Sequence, residues 1–183
     1  FFIFTPVKFT VHIVHPFSLE KTYGVELNKF MSLIPDQDYA AIVDWDSMFL
    51  DHKQIPLLYD YIAKYPDTGL FLARSNRSGS PIQRYNGMIS NQMSMSYWHR
   101  IAMNIKPKLS VTDVLDNKIS GFLMLISKQT WNEIKFNEEL QVLHVDRDYA
   151  GRILAAGKPI RVMDDVLIYH SYRVWGRNTN HLV

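Results

Sequence analysis

The chain has 183 residues, 47% of them hydrophobic and 21% charged, a formal net charge of +2 and no cysteine. This is enough chain for one domain with a real core, and the charge is too small to argue for nucleic acid as a partner. The lack of cysteine excludes disulfides, thiolate metal sites and cysteine nucleophiles, and leads us to expect a cytoplasmic protein.

In chain order, the apolar run at the start predicts a buried strand over Phe2–Thr5, ended by Pro6. Pro6 and Lys8 interrupt the run far short of a membrane span, and it has no basic leader or cleavage site. Neither a transmembrane segment nor a signal peptide is therefore expected. The chain opens without a methionine, which leaves open a fragment or a processed form. Phe9–Val14 alternates weakly and predicts a second strand. From Leu19 to Ile34 the period becomes helical, with Tyr23, Leu27, Phe30, Met31 and Ile34 on one face. Gly24 marks a helix start or a close backbone approach. Tyr39–Val43 reads as a short buried strand running directly into Asp44-Trp45-Asp46.

A helix with Pro56 in its first turn follows, with Leu57, Leu58, Tyr61 and Ile62 inward. Gly69–Ala73 predicts another strand. Ser78–Asn91, rich in Ser, Gly, Asn and Pro, reads as a long functional or mobile loop. A helix over Gln92–Ile105, a strand over Phe122–Ser127 and a short helix over Gln129–Ile134 come next. A helix over Asp146–Ala156 is stopped by Gly157. Short strands at Pro159–Met163 and Val166–Tyr169 close the chain. Alternating strands and helices argue an α/β domain with a mostly parallel central sheet flanked by helices.

Four stretches could carry chemistry. Carboxylates at the end of a buried strand need a cationic partner or solvent, ligands bind at the carboxyl ends of strands in open α/β sheets, and hard divalent cations choose oxygen. Asp44 and Asp46 therefore read either as metal ligands at a phosphate site or as a solvated acidic turn. His170, leaving the last strand, could complete a metal shell, and Arg173 could meet phosphate; both are equally compatible with a plain surface. Asp146 and Asp148 open a helix, where acidic residues serve the helix terminus, or one of them serves as a general base. Gly121, in Ser120-Gly121, allows either a tight turn or close approach to a ligand.

Taken in order, these segments resemble the GT-A fold glycosyltransferases close to the inverting family 2 enzymes, in particular short bacterial and phage members. The resemblance runs over nearly the whole chain. Tyr23-Gly24 with Leu27-Asn28 is similar to the family's first helix, beside the nucleotide, and Asp44-Trp45-Asp46 to its D-x-D motif. Asn76-Arg77, Gln83 and His99-Arg100 resemble positions in the short members. Ser120–Ile126 with Trp131 resembles the acceptor-side segment. Val145-Asp146-Arg147-Asp148 with Arg152 resembles the region carrying the base, and Tyr169–Arg173 the C-terminal metal and phosphate segment.

The resemblance implies a single domain over residues 1–183. Residues 1–46 would form a reduced nucleotide-binding part and 47–183 an acceptor and catalytic part. It implies transfer of a sugar from a nucleotide-diphosphate sugar, a UDP-sugar foremost, to a glycan, lipid-linked or protein acceptor, with inversion. The implied metal, Mn²⁺ or Mg²⁺, falls to Asp44, Asp46 and His170. The donor falls to Thr5, Pro6, Asn28, Asp44, Trp45, Asp46, Gly121 and Arg173. The base is Asp146, with Asp148 as the other choice. Val145 stands where the family has Glu, and the Q-x-x-R-W motif of processive synthases is absent. Two rival readings are a non-catalytic nucleotide-sugar-binding protein of the same fold and a metal-dependent nucleotidyltransferase; the latter would carry a Gly-rich phosphate loop with a Lys, which Thr5-Pro6-Val7-Lys8 does not supply.

Overall fold

The computed structural model describes residues 9–17, 22–87, 90–140 and 144–171. The expected first strand, and with it Thr5 and Pro6, lies outside these residues, as does Arg173. The described elements are β1 (Val11–Val14), α1 (Tyr23–Leu33), β2 (Tyr39–Val43), β3 (Ser47–Phe49), α2 (Gln54–Lys64), β4 (Leu70–Ser75), α3 (Met95–Asn104), β5 (Val111–Val114), β6 (Leu123–Ser127), α4 (Lys128–Glu133), α5 (Val145–Ala155) and β7 (Ile160–His170).

The fold is α/β around a seven-stranded sheet, ordered β1-β2-β6-β4-β7-β3, with β5 also on β7. The sheet is mixed, which corrects the expectation of a mostly parallel one. Among the described residues only β1–β2 and β4–β7 pair in parallel. β6 inserts antiparallel between β2 and β4, and β3 and β5 both run antiparallel to β7. The apolar run of β6 carries no direction signal, because a strand buried on both faces reads the same either way. β1, β2, β4 and β7 nevertheless share one direction, so the C-terminal ends of β2, β4 and β7 meet the N-terminal end of β6 on one edge.

Strict alternation divides the strands between two cores. Ala40, Ile42, Leu70, Leu72, Met124 and Ile126 face α1, α4 and α5. Ala41, Val43, Phe71, Ala73, Leu123 and Leu125 face α2, through Leu58, Tyr61 and Ile62. A third cluster packs Trp98 and Ala102 of α3 on Leu167 and Tyr169 of β7.

β7 is one continuous strand where two were expected. Its register against β4 slips between Ala73–Met163 and Arg74–Leu167, so β7 carries three extra residues there. Asp164 and Asp165 occupy the bulge and read as a turn in sequence, yet both are satisfied. Asp164 meets Arg74 and Thr112, and Asp165 accepts from Tyr61 and from the Lys108 and Leu109 amides. An odd insertion swaps faces. Ile160 and Val162 face α5, but Val166 and Ile168 join Met163 on the α2 side. β5 was missed because only Val114 of its four residues is buried.

Candidate functional site

The site forms on the shared edge. Asp44 follows the last residue of β2, its amide donating to the Phe122 carbonyl at 3.2 Å. A tight turn returns the chain into β3, whose first residue, Ser47, pairs with His170 at the end of β7. That pairing places the β2–β3 turn over the end of β7, and the Ser171 amide donates to the Asp46 carbonyl at 2.9 Å. One ligand atom each from Asp44, Asp46 and His170 lies within 4.8 Å of the others.

His170 is held through both its ring and its backbone. Its Nδ1 lies 2.9 Å from the Arg77 carbonyl, its backbone amide donates to Asn76 Oδ1 at 2.7 Å, and its ring rests on Phe122 with centroids 4.9 Å apart. A carbonyl only accepts, so Nδ1 carries the proton in the neutral ring and the Nε2 lone pair is left on the Asp46 side. Nε2 lies 3.5 Å from Asp46 Oδ1. Two acceptors thus face each other unless a proton or a cation stands between them. Burial lowers the His170 pKa while Asp46 pulls it up.

Asp44 is pushed from an ordinary 3.8 to about 7, chiefly by burial and then by Asp46 and Asp146, while the Tyr23 hydroxyl pulls it back. Tyr23 Oη donates to Asp44 Oδ1 at 3.1 Å. The next residue, Gly24, lets α1 approach the loop after α4: a Cβ there would lie 2.1 Å from the Asn137 carbonyl oxygen. Both readings of Gly24 are realised: it lies at the start of α1 and makes a close approach.

No family model matches this chain, and no curated protein resembles it in sequence. The site therefore rests on its own geometry.

Asp146 lies in the first turn of α5 and accepts from the Gly121 amide at 2.9 Å and the Arg147 amide at 2.8 Å. Burial raises its pKa. It is near enough to raise Asp44 and Tyr23 in turn. Asp148 is taken up instead by Arg152, at 2.6 and 2.9 Å. Gly121 does come close to something, but it is the Asp146 side chain; a Cβ would sit 2.9 Å from Asp146 Cβ.

Asn28 is a correction. It is 8% exposed, and its amide donates to Phe136 O and Glu138 Oε1 while accepting from Trp131 Nε1 and Phe136 N. Two donors and two acceptor lone pairs are all used, so Asn28 ties α1 to α4 and the following loop and has nothing left for a nucleotide. Trp45 stands between the two aspartates in sequence but is 82% exposed. After β4, Asn76 and, in the first half of the expected loop, Ser78, Ser80 and Gln83 are buried. Asn76 and Gln83 entered the sequence reading only through the resemblance, because a short polar run gives no periodic signal of burial. Tyr23 read as a core residue, and the adjacent Gly24 was the available hint of a closer role.

Proposed function

We propose that this chain is a metal-dependent glycosyltransferase of the GT-A type, moving a sugar from a nucleotide-diphosphate sugar, a UDP-sugar foremost, to an acceptor hydroxyl with inversion. The observation that carries the reading is the convergence of Asp44, Asp46 and His170 within 4.8 Å at the C-terminal strand edge, where α/β sheets place their ligands.

The donor set fits a divalent cation. Two carboxylates supply charge, and the Arg77 carbonyl fixes the imidazole with Nε2 toward Asp46, the arrangement by which a metal-binding histidine is oriented. An imidazole beside carboxylates suits Mn²⁺ better than Mg²⁺, which prefers oxygen throughout. When bound, the ion offsets negative charge on the departing diphosphate. The protein's own residues supply the rest. Tyr23 keeps Asp44 Oδ1 engaged and so steadies the carboxylate. Asp146, held by two backbone amides and raised in pKa by burial, takes the proton of the acceptor hydroxyl as general base. Asp148 is committed to Arg152 and does not compete for that role.

Hydrolysis and transfer of UDP-sugars, measured with Mn²⁺ and with EDTA, test the reading. Mn²⁺-dependent turnover lost in Asp46→Ala supports it. Consumption of a nucleoside triphosphate instead would point to nucleotidyl transfer, and tight UDP-sugar binding without turnover to a binding protein.

A further inference from the structure

Gln83 is fully buried at the end of a single helical turn, Pro81–Gln83. A buried amide costs desolvation at both ends unless each end is matched. Both ends of this one are spent on the backbone of one residue. Gln83 Nε2 donates to the Ser120 carbonyl at 2.9 Å, and the Ser120 amide donates to Gln83 Oε1 at 2.7 Å. β6 begins only at Leu123, so this side chain supplies Ser120 with the pair of bonds a neighbouring strand would give. Ser78 Oγ adds a third bond, to Ser120 Oγ at 3.1 Å.

The mount itself is tied down. Arg84 Nε donates to the Ser78 carbonyl at 3.0 Å and the Ser80 amide to Ser78 Oγ at 3.0 Å. Arg74 donates to the Ile82 carbonyl, and Arg84 bridges to Ser75 of β4. The next peptide after Ser120 carries the Gly121 amide that holds Asp146 Oδ2. Helix α5 holds the other oxygen of that carboxylate, so the Gly121 amide is the bond that reaches Asp146 from the sheet side. The helix's capping residue, His144, has φ 84° and makes no side-chain cap bond, and Asp146 Oδ1 is bonded to the adjacent Arg147 amide on the same helix.

We propose that Gln83 is a positioning residue for Asp146, acting through the Ser120–Gly121 backbone. Its catalytic consequence rests on the reading of Asp146 as the base. Gln83 clamps Ser120, Ser120 sets the Gly121 amide, and that amide sets the pose of Asp146 Oδ2.

The Gly121 amide resonance of ¹⁵N-labelled protein, followed across pH, tests the positioning without any turnover. In wild type it titrates with Asp146, and in Asp146→Asn it does not. In Gln83→Met, which keeps length and volume but cannot bond Ser120, the Gly121 titration shrinks by about half or more as the amide relaxes from the carboxylate. A full wild-type titration in folded Gln83→Met overturns the proposal. If Gln83→Met does not fold, Gln83→Ala, which removes both bonds to Ser120 and adds no titrating group, is read by the same criterion. In transfer assays Gln83→Met lowers kcat about tenfold with donor KM within about twofold; a raised donor KM with unchanged kcat counts against it. Wild-type turnover in Asp146→Asn would refute the base, while the Gly121 titration would still decide the positioning.

Discussion

Asp44 is the residue whose surroundings make the clearest demand. Its carboxyl is raised from 3.8 to about 7 by burial and by two like charges. A raised folded-state pKa means the native state holds the proton more tightly. Asp44 thus adds stability that is fully present below about pH 3.8 and lost as pH rises through about 7. Metal binding has the opposite sense, since a cation needs the carboxylate. The metal-free protein, compared with Asp44→Asn, should lose thermal stability as pH rises over this window. The added stabilisation by Mn²⁺ should grow over the same range. The comparison is needed because burial of His170 pushes its pKa down, and with it stability falls toward acid pH. Equal pH profiles for the two proteins in EDTA would remove Asp44 from this account.

Tyr23 refines the same point. Its hydrogen bond favours the ionised carboxylate, so Tyr23→Phe leaves Asp44 protonated to higher pH while retaining the ring. One such bond contributes about 1 kcal/mol, which predicts Mn²⁺ affinity at pH 7 weakened roughly fivefold by calorimetry, with the fold intact.

Among the elements, α1 depends on one missing side chain. Gly24→Ala should gain up to about 1 kcal/mol in helix propensity, but its Cβ would lie 2.1 Å from a backbone oxygen that cannot simply rotate away. Overpacking of this kind costs about 1–3 kcal/mol, and the displaced helix carries Tyr23 with it. Denaturant melts should find Gly24→Ala destabilised, with Mn²⁺ binding weakened as well.

Most of the elements were legible because their apolar periods are strong. Tyr39–Val43 and Leu123–Ser127 appear within one residue of expectation, and α2 carries Pro56 in its first turn as expected. The Asp pair was legible because it follows such a strand. Direction and face were not. Nothing in Leu-Met-Leu-Ile marks β6 as antiparallel, and Asp164-Asp165 reads as a turn until Tyr61, Arg74 and two loop amides satisfy it. The bulge matters to the site, because its odd residue count brings His170 onto the side where Phe122 supports the ring. Sequence spacing placed His170 at a strand end but could not say which way it would face.

At the scale of the whole molecule, the site sits where four strand ends converge, and the sheet holds Asp44, Asp46 and His170 together. That arrangement sets like charges against each other and an imidazole lone pair against a carboxylate. Functional sites commonly hold such opposed groups at a cost to stability. Asp46→Asn relieves the repulsion on Asp44 and gives Nε2 a possible amide donor. In EDTA this variant should therefore melt at or above the wild-type temperature. With Mn²⁺ the order should reverse. A ligand at about 100 times its Kd stabilises the folded state by about 2.7 kcal/mol; at 2–4 °C per kcal/mol for a chain of this size, that is roughly 5–10 °C. Wild type should gain that increment and Asp46→Asn should not. If Asp46→Asn melts well below wild type in EDTA, the acidic pair is holding the fold together rather than waiting for a cation, and the metal assignment fails with it.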